Sequence, residues 1–399
     1  MASRGGVAEL NAAFQPRTFE AWRVLRLGTR EVIDAVVAPD HRGPSPELAQ
    51  ALAAWPGAHY WADPEQGQLV LIRSIGPARR ERWLFHLVLF LLTVICALGA
   101  GAALIGAWYP PEGPLTLTPA VGRYLGGIIS ALVGGGYFFA GLLNGGWREI
   151  LPGWSFALPL LSILLVHELG HYFTARRYAI DTSPPYFLPM PPTLSPIGSL
   201  GAFLRLRTPV LDRRQLLDVG AAGPLAGFVV TLAVLVWGYH TSQPLAIGHE
   251  TPGDFVTFAG RQISLGDSLL TLGLRRLMYP EAAALYLSLP AFAGWVGAFI
   301  TALNLLPLSQ LDGGHVLYAL VGRFQAAIGF LTLVGLVMLA PSAPTWYVWV
   351  VVVLLVGGGR WAHPSVISPA RPVPRGRRWI GWLCILIFIG TFVPVPFRL

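Results

Sequence analysis

The 399-residue sequence predicts an all-α polytopic membrane protein with about 7–8 transmembrane segments, a re-entrant β-like segment near a candidate active site, and a small soluble α/β region at the N-terminus. Three observations carry that expectation. The composition is 54% apolar and only 12% charged, with mean hydropathy +0.57, which is more apolar surface than a soluble core can hide. Several apolar stretches approach or exceed the roughly 18 residues that cross a bilayer. One of them, apolar almost throughout from Phe156 to Val166, ends in His167-Glu168-Leu169-Gly170-His171.

The net charge of +8 does not point to nucleic acid. All 28 basic residues are arginine, and they cluster beside apolar spans at 79–82, 176–177, 205–214 and 371–378. That is the pattern of the positive-inside rule and of anionic head groups, so the expected partner is the lipid bilayer. Cys96 and Cys384 both lie within apolar spans, which leaves neither a disulfide framework nor a thiolate metal site.

Residues 1–82 read as an N-terminal cytoplasmic region, a small soluble domain or a pair of helices with a strand. Thr18–Val37 is broadly amphipathic, Ser45-Pro46-Glu47 has the form of a helix start, and Gln68–Ser74 is a short β-like run. No cleavable signal precedes the first span. Residues 83–153 hold that span, about Trp83 to Trp108, and a glycine-rich stretch, Tyr124–Gly146. Arg79, Arg80 and Arg82 before the span, with no basic residue over Tyr109–Val121, set the N-terminus in the cytoplasm of a multi-pass protein of the cell membrane. If 124–146 crossed fully, Arg176 and Arg177 would lie outside, against the charge rule, so it is read as a re-entrant or interfacial segment. His86 is expected at the interface, and Gly99, Gly101 and Gly106 are read as helix-packing residues.

Residues 154–322 form the membrane core. The motif helix, about Trp154 to Arg177, runs inward and ends at the arginines. The prolines of Ser183–Pro209 rule out a continuous helix, and the alternation at Phe203–Arg207 suits a strand, one arm of a hairpin dipping toward the site. A helix follows over about 216–240, where Gly220, Gly223 and Gly227 would admit a close neighbour and Asp218 is a cap or interface residue. An outer loop, 241–285, carries a possible amphipathic segment at 263–278, with His240 and His249 facing solvent. The chain then returns over about 287–306 and breaks at Pro307, Gly313 and Gly314, the irregular backbone at membrane depth that lines cavities. Residues 323–399 add C-terminal spans at about 324–341, 345–359 and 378–395.

On a helix His167 and His171, at i and i+4, point the same way and can grip one metal ion. Glu168 sits about 100° round the axis, beside that ion. Each ionisable residue within a membrane segment costs roughly 2–3 kcal/mol or more, so three together mark function. A catalytic zinc, Zn2+, takes three protein ligands, and no third follows at a familiar spacing. Asp312 is the best candidate, being the only acidic residue from Ala282 to Gly359, although it could also cap the following helix. His315 competes with it. Zinc would activate a water and polarise a carbonyl, while Glu168 would take a proton and pass it to a leaving amine, which is peptide hydrolysis. A membrane helix hides its carbonyls in its own hydrogen bonds, so the substrate must unwind. The strand at 197–207 could hold it extended by edge pairing, with Gly201 allowing close backbone approach.

His167-Glu168-Leu169-Gly170-His171, together with Asn304-Leu-Leu-Pro307 and Leu311-Asp312-Gly313-Gly314, resembles the site-2 protease family of intramembrane zinc metalloproteases over roughly residues 154–322. The resemblance implies a membrane-embedded zinc held by His167, His171 and Asp312, with Glu168 as catalytic acid and base. It also implies that Asn304 supports the transition state or the substrate backbone, and that substrates are membrane proteins with a transmembrane helix, cut within or near the bilayer. Residues 241–285 are too few for a PDZ domain, and Gly198–Phe203 resembles the subgroup lacking one. Two other classes stay in view: a transporter in which the same three residues bind a passing metal, and a catalytically silent membrane chaperone of the same fold. A transporter has no need of Glu168 as a base beside the pair. Nothing in the sequence sets an oligomeric state.

Overall fold

The computed structural model describes residues 14, 18–42, 45–75, 81–108, 125–245, 253–258, 260–282 and 284–398. Four helical segments are long and apolar enough to cross a membrane: Trp83–Leu104, Trp147–Arg177, Arg213–His240 and Asp312–Leu339. Other apolar helices, among them Leu289–Asn304 and Thr345–Leu355, are shorter, so among the described residues length and hydropathy mark four candidate spans, and the seven or eight the sequence suggests are not all marked. Nor is the chain all-α, because three sheets flank or enter the helical core.

The N-terminal region is a four-stranded antiparallel sheet of β1 (Phe19–Leu27), β2 (Arg30–Val37), β3 (Ala58–Asp63) and β4 (Gln68–Ser74), in the order β1-β2-β4-β3. The amphipathic stretch Thr18–Val37 is therefore a hairpin rather than a helix; its turn at Gly28–Thr29 pairs Leu27 with Arg30. β4 has the expected bounds, and helix α1 (Pro46–Ala54) starts where expected, with Ser45 accepting from Leu48 N. One face of the sheet, with Ile33, Leu69 and Leu71, packs on α1; burying such side chains stabilises by roughly 1.5–3 kcal/mol each. The other face, with Val32, Tyr60, Val70 and Ile72, packs on Ala175, Tyr178, Ile180 and Leu211 of the core.

The core begins with α2 (Trp83–Leu104) and α3 (Leu125–Leu143), joined to α4 (Trp154–Arg177) by a helical turn at Trp147–Ile150. The glycine-rich segment is thus helical from Leu125 to Leu143 and turns at 144–146. Residues 109–124 lie outside the described residues. His86 is buried, its Nδ1 3.1 Å from Pro185 O, and Gly99 and Gly101 do serve packing, against Phe138 and Gly153. The hairpin β5 (Tyr186–Pro189) and β6 (Ser199–Phe203) follows, then α5 (Arg213–His240), whose N-cap Asp212 accepts from Gln215 N at 2.9 Å and from Tyr60 Oη at 2.9 Å.

The segment 241–285 is no simple loop. Strands β7 (Gln243–Pro244), β8 (Gly253–Phe258), β9 (Arg261–Leu265) and β10 (Ala284–Tyr286), with helix α6 (Leu269–Met278), build a five-stranded sheet completed by β11 (Phe397–Arg398) in the order β11-β9-β8-β10-β7. Buried Asp254 ties it down, accepting from Tyr239 Oη at 2.6 Å and Arg275 Nη1 at 2.9 Å. His240 is exposed as expected, and His249 lies outside the described residues. The chain closes with α7 (Leu289–Asn304), α8 (Asp312–Val321), α9 (Gln325–Leu339), α10 (Thr345–Val356) and α11 (Arg378–Thr391). Leu158, Leu331 and Met338 are exposed, apolar side chains on the outside of a helical core, as lipid solvation requires.

Candidate metal centre

Three helices converge on the motif. α4 carries His167, Glu168 and His171, all buried, because its apolar run packs against α5 and α7 on both sides. Glycines on α5 make the approach possible: a Cβ at Gly223 would stand 2.1 Å from His171 Nε2, and one at Gly227 3.0 Å from His167 Cβ. These are two of the three glycines expected to admit a neighbour. A Cβ at the third, Gly220, would stand 2.7 Å from His315 Cβ.

Asp312 opens α8, reached through the turn that follows α7. Gly313 and Gly314 let this first turn lie on the Leu305 and Ser309 carbonyls, where any Cβ would stand 1.9 and 2.3 Å away. The carboxylate then points at both imidazoles, with Oδ2 3.3 Å from His167 Nε2 and Oδ1 3.3 Å from His171 Nε2. The two Nε2 atoms are 3.1 Å apart. One ligand atom from each of the three residues lies within 4.8 Å of the others, a group that could hold a metal ion.

Neighbours orient these groups. Val219 O is 2.7 Å from His171 Nδ1 and accepts its proton, which leaves the Nε2 lone pair facing Asp312. Asn304 Nδ2 is 3.3 Å from His167 Nε2. Pro307 does not touch the histidines through any recorded bond; its carbonyl accepts from Gln325 Nε2 at 3.0 Å, which pins the turn between α7 and α8. His315 is not part of the group: its Nδ1 is 2.7 Å from His363 Nε2. Asp218 is an interface residue, accepting from Tyr178 and Arg377.

His167 and Glu168 line a cavity of about 450 Å³ with apolar walls. Gly201 lines it too, at φ +105°, a conformation that only glycine adopts readily, with nothing within 4 Å of where a Cβ would stand. β6 pairs with β5 alone among the described strands, so no described strand covers its other edge. Val256, Ile263 and Phe397 of the five-stranded sheet roof the cavity, and Phe292, Trp295 and Phe299 of α7 line one side. The spacing of those three aromatics, one per helical turn, was the legible signal that sequence reasoning missed. Nothing in sequence marked Val219, since its contribution is a main-chain carbonyl.

Fold and site together define a protein with membrane-length apolar helices and a group that could hold a metal ion, built from an H-E-x-x-H helix and a distant aspartate. Residues 155–341 match the model of peptidase family M50. The chain is similar to the probable zinc metalloprotease EGY2, chloroplastic, of Arabidopsis thaliana, 32% identical over 63% of this chain and 42% of the relative. It is also similar to the probable zinc metalloprotease EGY1, chloroplastic, of Arabidopsis thaliana (27% identity, 80% of this chain, 54% of the relative) and of Oryza sativa subsp. japonica (29%, 80% and 52%). The chain thus spans about half the length of these relatives. No solved structure matches it significantly.

Proposed function

We propose that the chain is an intramembrane zinc endopeptidase that cuts membrane-spanning substrates, with His167, His171 and Asp312 as the zinc ligands and Glu168 as general acid and base. The observation that carries the reading is the single carboxylate, from a segment 141 residues beyond the motif (312 − 171), standing 3.3 Å from both imidazoles. Two imidazoles and a carboxylate suit zinc and leave a position open for chemistry. Bound there, zinc would lower the pKa of a water and polarise the scissile carbonyl.

The chain's own residues do the rest. Glu168 takes the proton of the attacking water and delivers it to the leaving amine nitrogen. Asn304, 3.3 Å from His167 Nε2, supplies an amide that supports the substrate backbone or the developing negative charge. The edge of β6 away from β5 pairs an unwound substrate segment, and Gly201 leaves its backbone room. Substrates are then proteins with one transmembrane helix that can unwind, processed by regulated intramembrane proteolysis.

We read the molecule as a multi-pass protein of the cell membrane with a cytoplasmic N-terminus. The N-terminal sheet packs on the end of α4 that carries Arg176 and Arg177, so the basic residues and the sheet share one face. Gly101, near the end of α2, abuts Gly153, just before the start of α4, and this proximity supports an even number of crossings, or none, between them. On this reading residues 1–82 are the cytoplasmic region, 83–153 the first span and α3, 154–322 the catalytic core, and 323–399 the C-terminal spans.

The test is Glu168→Gln in a strain otherwise unchanged. Uncut single-span proteins should accumulate while the purified variant keeps its zinc. Unaltered processing of every membrane protein would overturn the protease reading, whereas unaltered processing with metal-dependent transport would favour the transporter.

A further inference from the structure

A second cavity, of about 560 Å³, lies where the N-terminal sheet meets the ends of α4 and α5, away from the metal centre. Three arginines line it: Arg177 at the end of α4, Arg214 in the first turn of α5 and Arg377 just before α11. Their charges are unequally spent. Arg377 and Tyr178 both donate to one oxygen of Asp218, whose other oxygen is buried without a hydrogen-bond partner. Burial, then the Asp218 carboxylate, push the Tyr178 phenol up to about 12, so it stays a donor. Arg177 and Arg214 have no carboxylate partner among the described residues. Arg214 stacks its guanidinium 5.6 Å from the centre of the Tyr60 ring, yet its Nε is buried with no hydrogen-bond acceptor. A buried charged donor without an acceptor is costly, and a ligand anion would supply one.

The other walls say what kind of anion. Toward the membrane interior the floor is Ala221, Leu225 and Ile380; at the opposite end the roof is Tyr60 and Trp61 of β3. A basic ring above an apolar floor and beneath an aromatic rim, at the ends of membrane-length helices, matches the order of chemistry through one leaflet of a bilayer. Guanidinium forks suit phosphate oxygens bidentately. We propose that this cavity binds the phosphate head group of an anionic phospholipid, with an acyl chain against Leu225 and Ile380. Thr174 and Asp218, which also line it, lie three residues beyond His171 and one before Val219, so a bound lipid clamps together the two helices that hold the centre. The proposal does not depend on the protease reading.

The full chain, purified and placed in phosphatidylcholine nanodiscs doped with phosphatidylglycerol, would be examined by native mass spectrometry for retained phosphatidylglycerol. The double variant Arg177→Gln/Arg214→Gln should weaken retention of the first such lipid by about tenfold or more, two charge-assisted contacts being lost. Arg176→Gln/Arg375→Gln removes the same charge from exposed arginines outside the cavity and should retain the lipid as the unaltered chain does. Melting in pure phosphatidylcholine checks that each variant folds, and Arg214→Lys, which keeps charge but loses the fork, should weaken retention several-fold without unfolding. Inorganic phosphate should compete for the site. Equal losses in the two double variants, or no loss in the first, would overturn the site; phosphate bound by a chain that retains no phosphatidylglycerol would replace the lipid with a soluble anion.

Discussion

The His171 imidazole donates to the carbonyl of Val219, 2.7 Å away, so a main-chain oxygen on α5 decides which ring nitrogen of an α4 residue faces Asp312. The bond exists because Gly223, one turn further along α5, leaves the ring its space. Gly223→Ala would put a methyl group 2.1 Å from His171 Nε2 and displace the ring from both Val219 and Asp312. Loss of such orienting contacts typically costs about 10- to 100-fold in metal affinity. Zinc titration of the purified variant checks this, and unchanged affinity would remove α5 from the design of the centre.

Gly201 is expected to matter through its backbone. A Gly201→Val side chain has space, since nothing lies within 4 Å, but φ +105° strains a β-branched residue by roughly 1–3 kcal/mol and distorts the edge of β6 away from β5. Cleavage of a membrane substrate should fall at least about tenfold while zinc content stays at the unaltered level. Full activity would take the strand out of the mechanism.

How much of this was legible in the sequence varies with how local the cause is. The bounds of α4 were readable because an apolar run ends in two arginines, and the start of α1 because Ser45, Pro46 and Glu47 act within one turn. Asp312 was readable as the lone acid in a long apolar region, though only the convergence of α8 on α4 separated it from His315, whose pairing with His363 spans 48 residues. The β1–β2 hairpin escaped because Thr18–Val37 presents apolar residues at spacings that also suit a helix. The five-stranded sheet escaped because it is completed by Phe397 pairing with Leu265, a contact no local pattern encodes.

The linker into α2 should show a pH signature. Arg207 bonds both oxygens of Glu81, one at 2.9 Å, and holds that carboxyl below its ordinary value of 4.5. A carboxylate whose folded pKa is depressed adds stability that is complete above the unfolded value and lost as pH falls through the folded one. Melting at about pH 6 and about pH 3.5 should therefore show a larger acid loss for the unaltered chain than for Glu81→Gln. Equal losses would mean the tie contributes nothing.

The central claim is that an aspartate on α8 completes a zinc site begun on α4, and metal stoichiometry tests it most directly. The purified chain should carry about one zinc, as should Glu168→Gln, while Asp312→Ala and His171→Ala should each lose it, three protein ligands being needed. An Asp312→Ala chain that keeps its zinc, alongside a His315→Ala chain that loses it, would contradict the account.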